Sequence, residues 1–243
     1  MSGVLYTRFE LIRAFRNRRF FFFSLGFPLV LYFVIAAPQR NVSNLGGTGI
    51  SAPLYYMVGL ASFGTMFAMI GSGGRIAAER QAGWTRQLRI TPLPVRSYFR
   101  AKMLTAYMMA ITSLVLLYGA GVSLGVSLSA GAWLEMTGLI IIALLPFGAL
   151  AVLLGHLMTV ESVGPVAGGT VSLLAIVSGT WFPVSGFLHD IGQWLPSYWL
   201  VQAGRITLGG QAWGVQGWAV VATWTLVLSA GAAYAYRRDS GRV

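Results

Sequence analysis

Long apolar runs separated by short polar or charged stretches dominate this 243-residue sequence. Several of the runs carry no charge over about 20 residues, the length that an α-helix needs to cross the hydrocarbon core of a bilayer. They predict six transmembrane helices, at about residues 20–37, 53–74, 103–129, 136–159, 163–182 and 213–236. The predicted fold class is therefore an all-α polytopic membrane protein with a single transmembrane domain, 1–243.

The stretch 4–19, which precedes the first run, has a different pattern. Leu5, Phe9 and Ile12 recur at helical spacing, and the arginines of the stretch lie largely off that stripe. This pattern favours an N-terminal interfacial helix that lies flat on the membrane with its arginines toward lipid phosphates. A plain cytoplasmic helix is the alternative.

Two non-spanning stretches are expected on the side of the membrane opposite to the N-terminus. The stretch 40–52 is rich in Asn, Gly and Ser, which is typical of a loop. The segment 183–210 is apolar but interrupted by Pro, Gly and Trp, so we expect it not to span and to form an extracellular segment before the last helix. Its marker residues are Pro183, Trp194, Pro196 and Arg205.

The distribution of charge orients the predicted helices. Only 9% of the residues are charged, against about 25% in soluble domains. Of the 17 basic residues, five precede the first run, seven lie in 75–102 and three follow the last run. The positive-inside rule then places both termini in the cytoplasm. The net charge of +11 thus reflects membrane topology rather than nucleic-acid binding.

The sequence lacks the patterns of several other classes of site. Zero cysteines and two histidines exclude disulfides and leave little for a metal site. No G-x-x-x-x-G-K-[ST] pattern surrounds the only lysine, Lys102, so we expect no P-loop ATPase in this chain. An ion-coupled transporter would place carboxylates within its spans, and a membrane-embedded hydrolase would have only His156 as a base. These classes are therefore disfavoured, and we expect no catalytic site in this chain.

The charged stretch 75–102 stands out between two uncharged runs. Arg75 and Glu79 are one helical turn apart, and the prolines at 92 and 94 must end any helix there. Spacing alone leaves two interpretations open, namely a short rigid helix beneath the bilayer or an ordinary positively charged loop.

The motif in this stretch resembles that of a known family. The run 79–84, Glu-Arg-Gln-Ala-Gly-Trp, followed by Leu-Arg-Ile-Thr-Pro-Leu at 88–93, is similar to the first cytoplasmic loop of ABC-2 type transporter permeases, such as the membrane subunit of the daunorubicin exporter. The sequence departs from the family pattern at Gln81, Trp84 and Gln87. The segment 182–205 is similar to the family's extracellular segment, although the usual proline after Ser185-Gly186 is missing.

This resemblance implies a function and a set of partners. Members of the family pair two permease copies with two cytoplasmic ATPase subunits, which bind ATP and Mg²⁺, and the loop after span two forms a cytoplasmic coupling helix. The resemblance thus assigns coupling to the ATPase to Glu79, Arg80, Gly83, Trp84, Arg86, Leu88, Thr91 and Pro92. It also implies a second inner contact at His156 and Glu161; a histidine at headgroup level is the alternative. The implied location is the bacterial cytoplasmic (inner) membrane.

The nature of the cargo follows from the apolar spans. Because they are almost free of charge, we expect export of a hydrophobic or amphipathic compound, such as a drug, an antibiotic or a lipid; polysaccharide or glycolipid export is the alternative within the family. Aromatic and thioether side chains suit such a path, and the candidates are Phe27, Tyr32, Tyr55, Met57, Phe63, Phe67 and Met69. Glycines spaced as at 164 and 168 permit close helix packing, either at a dimer interface or within one chain.

Overall fold

The computed structural model describes residues 3–83, 95–208 and 213–240, and every regular element in these ranges is helical. In chain order the α-helices are α1 Gly3–Arg16, α2 Arg18–Phe21, α3 Phe27–Ala36, α4 Ala52–Gly71, α5 Gly73–Gln81, α6 Val95–Ser123, α7 Ala130–Ala143, α8 Leu145–Leu157, α9 Val160–Val177, α10 Phe187–Gly192, α11 Pro196–Gln202 and α12 Val215–Ser240. A π-helical turn, Phe22–Gly26, joins α2 to α3, and 3-10 turns occupy Leu45–Gly47 and Ala203–Leu208. The all-α class is confirmed for these residues.

Five helical segments of the described chain are long and apolar enough to cross a membrane. They are Ala52–Gln81, Ser97–Ser123, Ala130–Leu157, Val160–Val177 and Val215–Arg238, and they correspond to the last five predicted spans. The first predicted span coincides with a shorter apolar helix, Phe22–Ala36. This helix rises about 22 Å at 1.5 Å per residue, less than the hydrocarbon thickness of about 30 Å. It reaches a comparable length only together with α2.

Two predicted boundaries are wrong. The fourth span, predicted to start at about residue 136, starts with α7 at Ala130, because the Ser129 side chain accepts a hydrogen bond from the Ala132 amide and caps this helix. The fifth span, predicted to start at about residue 163, starts with α9 at Val160, which Thr159 caps in the same way. The segment 75–81, for which the spacing left a helix and a loop open, is helical. It continues α4 through Ser72, whose φ of −62° and ψ of −23° are helical.

Helix α4 is the central helix of the bundle. It contacts α3, α6, α8 and α9, and most of its side chains are buried. Glycines allow neighbouring backbones to approach this helix and its continuation α5 closely. A Cβ at Gly59 would lie 2.4 Å from the Thr180 carbonyl oxygen, and one at Gly73 would lie 2.5 Å from that of Ala151. The helix is thus fixed by contacts along its whole length.

Helix α1 presents an unexpected face to the bundle. Its buried side chains are Tyr6, Glu10 and Ala14, one turn apart, and they face α6. The predicted apolar stripe points away, since Phe9 is 58% and Ile12 45% exposed. An apolar face turned outward is the arrangement expected of a helix that packs against lipid.

Because α5 lies so close to α8, we expect a single methyl group added at Gly73 to lower stability. In Gly73→Ala the new Cβ would overlap a backbone oxygen that moves only with α8, so we expect a loss of about 1–3 kcal/mol of stability. The matched control is Gly138→Ala in α7, where a Cβ meets nothing within 4 Å; alanine there should preserve or slightly raise stability. Thermal unfolding of the purified variants measures both, and equal stability of the two would contradict the close contact.

Candidate functional site

Charged side chains converge where α1, α5 and α6 meet. This charge cluster consists of Glu10, Arg13, Arg75, Glu79, Tyr98 and Lys102. The carboxylates of Glu10 and Glu79 belong to side chains that are each 4% exposed, and the Lys102 side chain is 2% exposed. Charges buried to this degree are stable only when they are paired and hydrogen-bonded.

Lys102 lies at the centre of the charge cluster. Its Nζ is 2.6 Å from Oε1 of Glu10 and 2.5 Å from Oε1 of Glu79. The Tyr98 hydroxyl donates to the other Glu79 oxygen, Oε2, at 2.9 Å. An ammonium group has three donors, so one lysine holds a carboxylate from α1 and one from α5 at the same time.

Two arginines complete the charge cluster, one exposed and one largely buried. Arg13 Nη1 donates to Glu79 Oε1 at 3.1 Å, and its side chain is 61% exposed. Arg75 Nε lies 3.6 Å from Glu10 Oε1. The charge cluster therefore contains three cations and two carboxylates, and its excess positive charge lies at the exposed end.

Helical spacing in three separate segments produces this arrangement. Arg75 and Glu79 on α5 are four residues apart, as are Tyr98 and Lys102 on α6, so each pair projects from one face of its helix. On α1, Glu10 is flanked by the buried residues Tyr6 and Ala14 at the same spacing. Each of the three helices thus directs the polar side chains of one short stretch toward the charge cluster.

Arg80, the next residue after Glu79, binds a different helix. Its guanidinium donates to the carbonyl oxygen of His156 and, at 2.7 Å, to that of Met158. These carbonyls belong to the C-terminal end of α8, where backbone acceptors lack intrahelical partners and a cation is favourable. Adjacent residues of α5 therefore hold α1 and α6 on one side and α8 on the other.

The structure places the predicted inner residues in different environments. Glu79 is buried and bonded within the chain. Gly83 ends the described part of this segment with a φ of +71°, a conformation that glycine adopts without strain. The predicted coupling residues that follow lie outside the described residues; they are Trp84, Arg86, Leu88, Thr91 and Pro92.

The second predicted inner contact contains one buried and one exposed residue. The His156 side chain is buried, its Nδ1 is 2.8 Å from the Val152 carbonyl oxygen, and its ring lies near Phe99 and Tyr236. Glu161 is exposed in the first turn of α9, where a carboxylate is favourable next to the helix dipole. The His156 side chain is thus packed inside the protein, and Glu161 offers the exposed charge of the pair.

The predicted path residues do not form one surface. Tyr32, Met57 and Met69 are wholly buried in the core. A second group forms a row of neighbouring aromatic rings with centroids 5.3–6.4 Å apart, namely Phe27, Phe63 and Phe67 together with Trp181. Tyr55 lies at the far end of α4, where its hydroxyl donates to the Gly179 carbonyl oxygen and its ring lines a cavity.

The segment 183–208 contains only short helices, as predicted. Pro196 lies at the start of α11, where its missing amide hydrogen costs nothing. The Trp194 carbonyl oxygen accepts a hydrogen bond from Trp224 of α12, and Pro183 and Arg205 line the same cavity as Tyr55. None of the described residues of this segment belongs to a helix long enough to span.

Sequence reasoning missed the partners of Glu79. Glu10 is the only carboxylate before the first apolar run, and Lys102 is the only lysine of the chain. Both were signals of unusual chemistry in a sequence with six acidic residues. Hydrophobic periodicity cannot show that Glu10 and Lys102 pair, however, because the two residues are 92 positions apart.

Comparisons with known proteins agree with the resemblance of the motif. A family profile described as "ABC-2 family transporter protein" matches residues 38–234. A protein of Bacillus subtilis (strain 168) named "Putative transport permease YvfS" is 33% identical over 197 residues, which cover 78% of this chain and 78% of that protein.

The charge cluster predicts that removing Lys102 lowers stability far more than removing the nearby Arg100. Lys102→Met leaves two buried carboxylates without their shared partner, which should cost about 3–5 kcal/mol of stability. The matched control, Arg100→Met, removes an exposed charge two residues away and should shift stability by less than about 0.5 kcal/mol. Thermal unfolding of the purified variants provides the measurement, and equal melting temperatures would show that Lys102 is not the centre of the cluster.

Proposed function

The chain belongs to the ABC-2 family of transport permeases, and from this membership we propose that it is the membrane subunit of an ATP-driven exporter. Its relative in Bacillus subtilis carries the name of a transport permease. The sequence has no P-loop, so the energy must come from a separate ATPase subunit that binds ATP and Mg²⁺. The proposed cargo is a hydrophobic or amphipathic compound, because the predicted spans are almost free of charge and the row of aromatic rings from Phe27 to Trp181 is apolar.

The proposed coupling mechanism rests on one observation. Two adjacent residues of α5 bind this helix to three other helices. Glu79 binds the α1–α6 pair through the charge cluster, and Arg80 binds the end of α8. Helix α5 also continues directly into α4. A force applied by the ATPase to the chain just beyond Gly83 would therefore move α4, α6 and α8 together rather than bend a loop.

Glu79 acts in this mechanism as a positioning residue. Because its carboxylate is buried against Lys102 and Tyr98, it is not available for direct contact with an ATPase surface. Its proposed role is to keep α5 rigidly attached to α1 and α6 while the segment 84–94 contacts the ATPase. The exposed carboxylate of Glu161, at the start of α9, is the candidate for a second contact on the same side.

The proposed topology has six spans and both termini in the cytoplasm of a bacterial cell. The first span would combine α2 with α3, and the segment 183–208 would lie outside. A second permease copy would pack on α9, where a Cβ added at Gly164, Gly168 or Gly169 would meet nothing within 4 Å. Small residues at such a spacing favour close helix contact in membranes.

The lack of cysteine makes this topology directly testable. In intact cells, Ser43→Cys should react with a membrane-impermeant maleimide, because 40–52 is expected outside. Arg8→Cys and Arg238→Cys should react only after the cells are permeabilised. All three native side chains are exposed, so accessibility across the membrane is the variable that differs. Labelling of Arg8→Cys in intact cells would contradict the cytoplasmic N-terminus.

Coupling is tested by Glu79→Gln, which removes one charge and keeps a group of the same size. We expect the variant to assemble with its ATPase and to lose stimulated ATP hydrolysis and transport by roughly 5–150-fold, the range of a coupling energy of 1–3 kcal/mol. The measurement is hydrolysis by the co-purified complex in liposomes, with and without cargo.

The matched control for this experiment is Glu135→Gln, an exposed carboxylate at the opposite end of the bundle, which should behave as wild type. Normal transport by Glu79→Gln would contradict the coupling role. A variant that no longer assembles would also contradict it, since Glu79 would then serve assembly instead.

A further inference from the structure

A cavity lies at the end of α4 opposite to the charge cluster. It is enclosed by the loop before α4, the first turns of α4, the stretch after α9, and helices α10 and α11 with the turn that follows them. Its volume is about 350 Å³, within the range of about 300–1,000 Å³ that is typical of small-molecule sites. The proposed transport mechanism, which rests on the charge cluster, does not use it.

Part of the cavity wall is apolar. Ile50, Leu54 and Val58 come from the start of α4 and the residues before it, and Val201 comes from α11. Branched aliphatic side chains of this kind bind an apolar group through burial alone, at about 25 cal/mol per Å² of apolar surface removed from water.

A buried amide faces the same cavity. The Gln202 side chain is only 6% exposed and lines the cavity, yet it makes no hydrogen bond to any of the residues that the structure describes. Because this side chain lines the cavity, its amide donor and acceptor are available to water or to a ligand there. An amide in this position is therefore suited to bind a polar group that enters the cavity.

The charged residues around the cavity indicate which charge a bound polar group should carry. Arg205 contributes a cation, and among the described lining residues there is no Asp or Glu. The Tyr198 hydroxyl is 3.1 Å from His189 Nε2, and burial raises the pKa of Tyr198 while Arg205 opposes the shift. The tyrosine thus remains a neutral donor. A cation together with neutral donors favours an anionic oxygen group over a cation.

We propose that this cavity binds a small amphiphilic anion, in which a carboxylate or phosphate group is attached to an apolar group. Arg205 and the Gln202 amide hold the anionic group, and the aliphatic side chains of α4 surround the apolar part. This site would specify the cargo class of the exporter, and in that sense it rests on the proposed function. The binding itself needs neither ATP nor the ATPase.

The experiment measures equilibrium binding to the full-length permease in nanodiscs of uncharged lipid, by isothermal titration calorimetry. The probes are benzyl phosphate, phenylacetate and the neutral benzyl alcohol. We expect at least one anion to bind and benzyl alcohol to bind at least about tenfold more weakly, a difference of about 1.4 kcal/mol. The relative affinity of the two anions identifies the preferred headgroup.

Two variants and a matched control assign the binding to the cavity. Arg205→Gln should weaken binding of the anion at least about tenfold, whereas Arg40→Gln, an exposed arginine that does not line the cavity, should bind as wild type. Gln202→Leu should also weaken binding while its melting temperature stays equal or rises, because the amide lost no bond within the protein. If Gln202→Leu fails to fold, the comparison of Arg205→Gln with Arg40→Gln still decides.

Several outcomes would overturn this proposal. They are binding of benzyl alcohol as tight as that of the anions, equal losses in Arg205→Gln and Arg40→Gln, and no binding of either anion. Such a failure would leave the coupling mechanism intact, since that depends on Glu79 and the ATPase. Conversely, normal transport by Glu79→Gln would not affect anion binding at this site.

Discussion

The burial of Lys102 between two carboxylates is the interaction on which the arrangement of helices depends. In a chain with only 9% charged residues, this lysine and the glutamates of α1 and α5 are withdrawn from water in the same place. The desolvation of each charge is offset only while the other charges stay within hydrogen-bonding distance. The three helices must therefore meet at that point, and α1 is attached to the bundle by a polar contact while its apolar stripe faces outward.

The long helix formed by α4 and α5 connects the two polar regions of the protein. One end contributes Arg75 and Glu79 to the charge cluster, and the other contributes Leu54 and Tyr55 to the cavity. Between them, Gly59 and Gly73 allow backbones of the stretch after α9 and of α8 to touch the helix directly. Contacts at backbone distance resist sliding, so these neighbours restrain the helix along its length.

Hydrophobic periodicity predicted most of the helices because each apolar run is a local property of the chain. It misplaced the starts of α7 and α9, where a single hydroxyl from Ser129 or Thr159 sets the boundary. It also could not show that 75–81 continues α4, since the charges of that segment were compatible with a helix and with a loop. The family motif singled out Glu79 for coupling, but only the tertiary structure shows which side chains pair with its buried carboxylate.

The polar groups of this protein differ in whether they already have a partner within the chain, and this difference separates a mechanical role from a binding role. In the charge cluster, the described carboxylates already have partners within the chain, and pulling one away would cost about 3–5 kcal/mol. Such a group holds helices together and has little left to offer a ligand. Gln202 is the opposite case, because its side chain lines the cavity and has no hydrogen-bond partner among the described residues. One end of α4–α5 is thus fixed by paired charges, whereas the other end borders the cavity that Gln202 and Arg205 line.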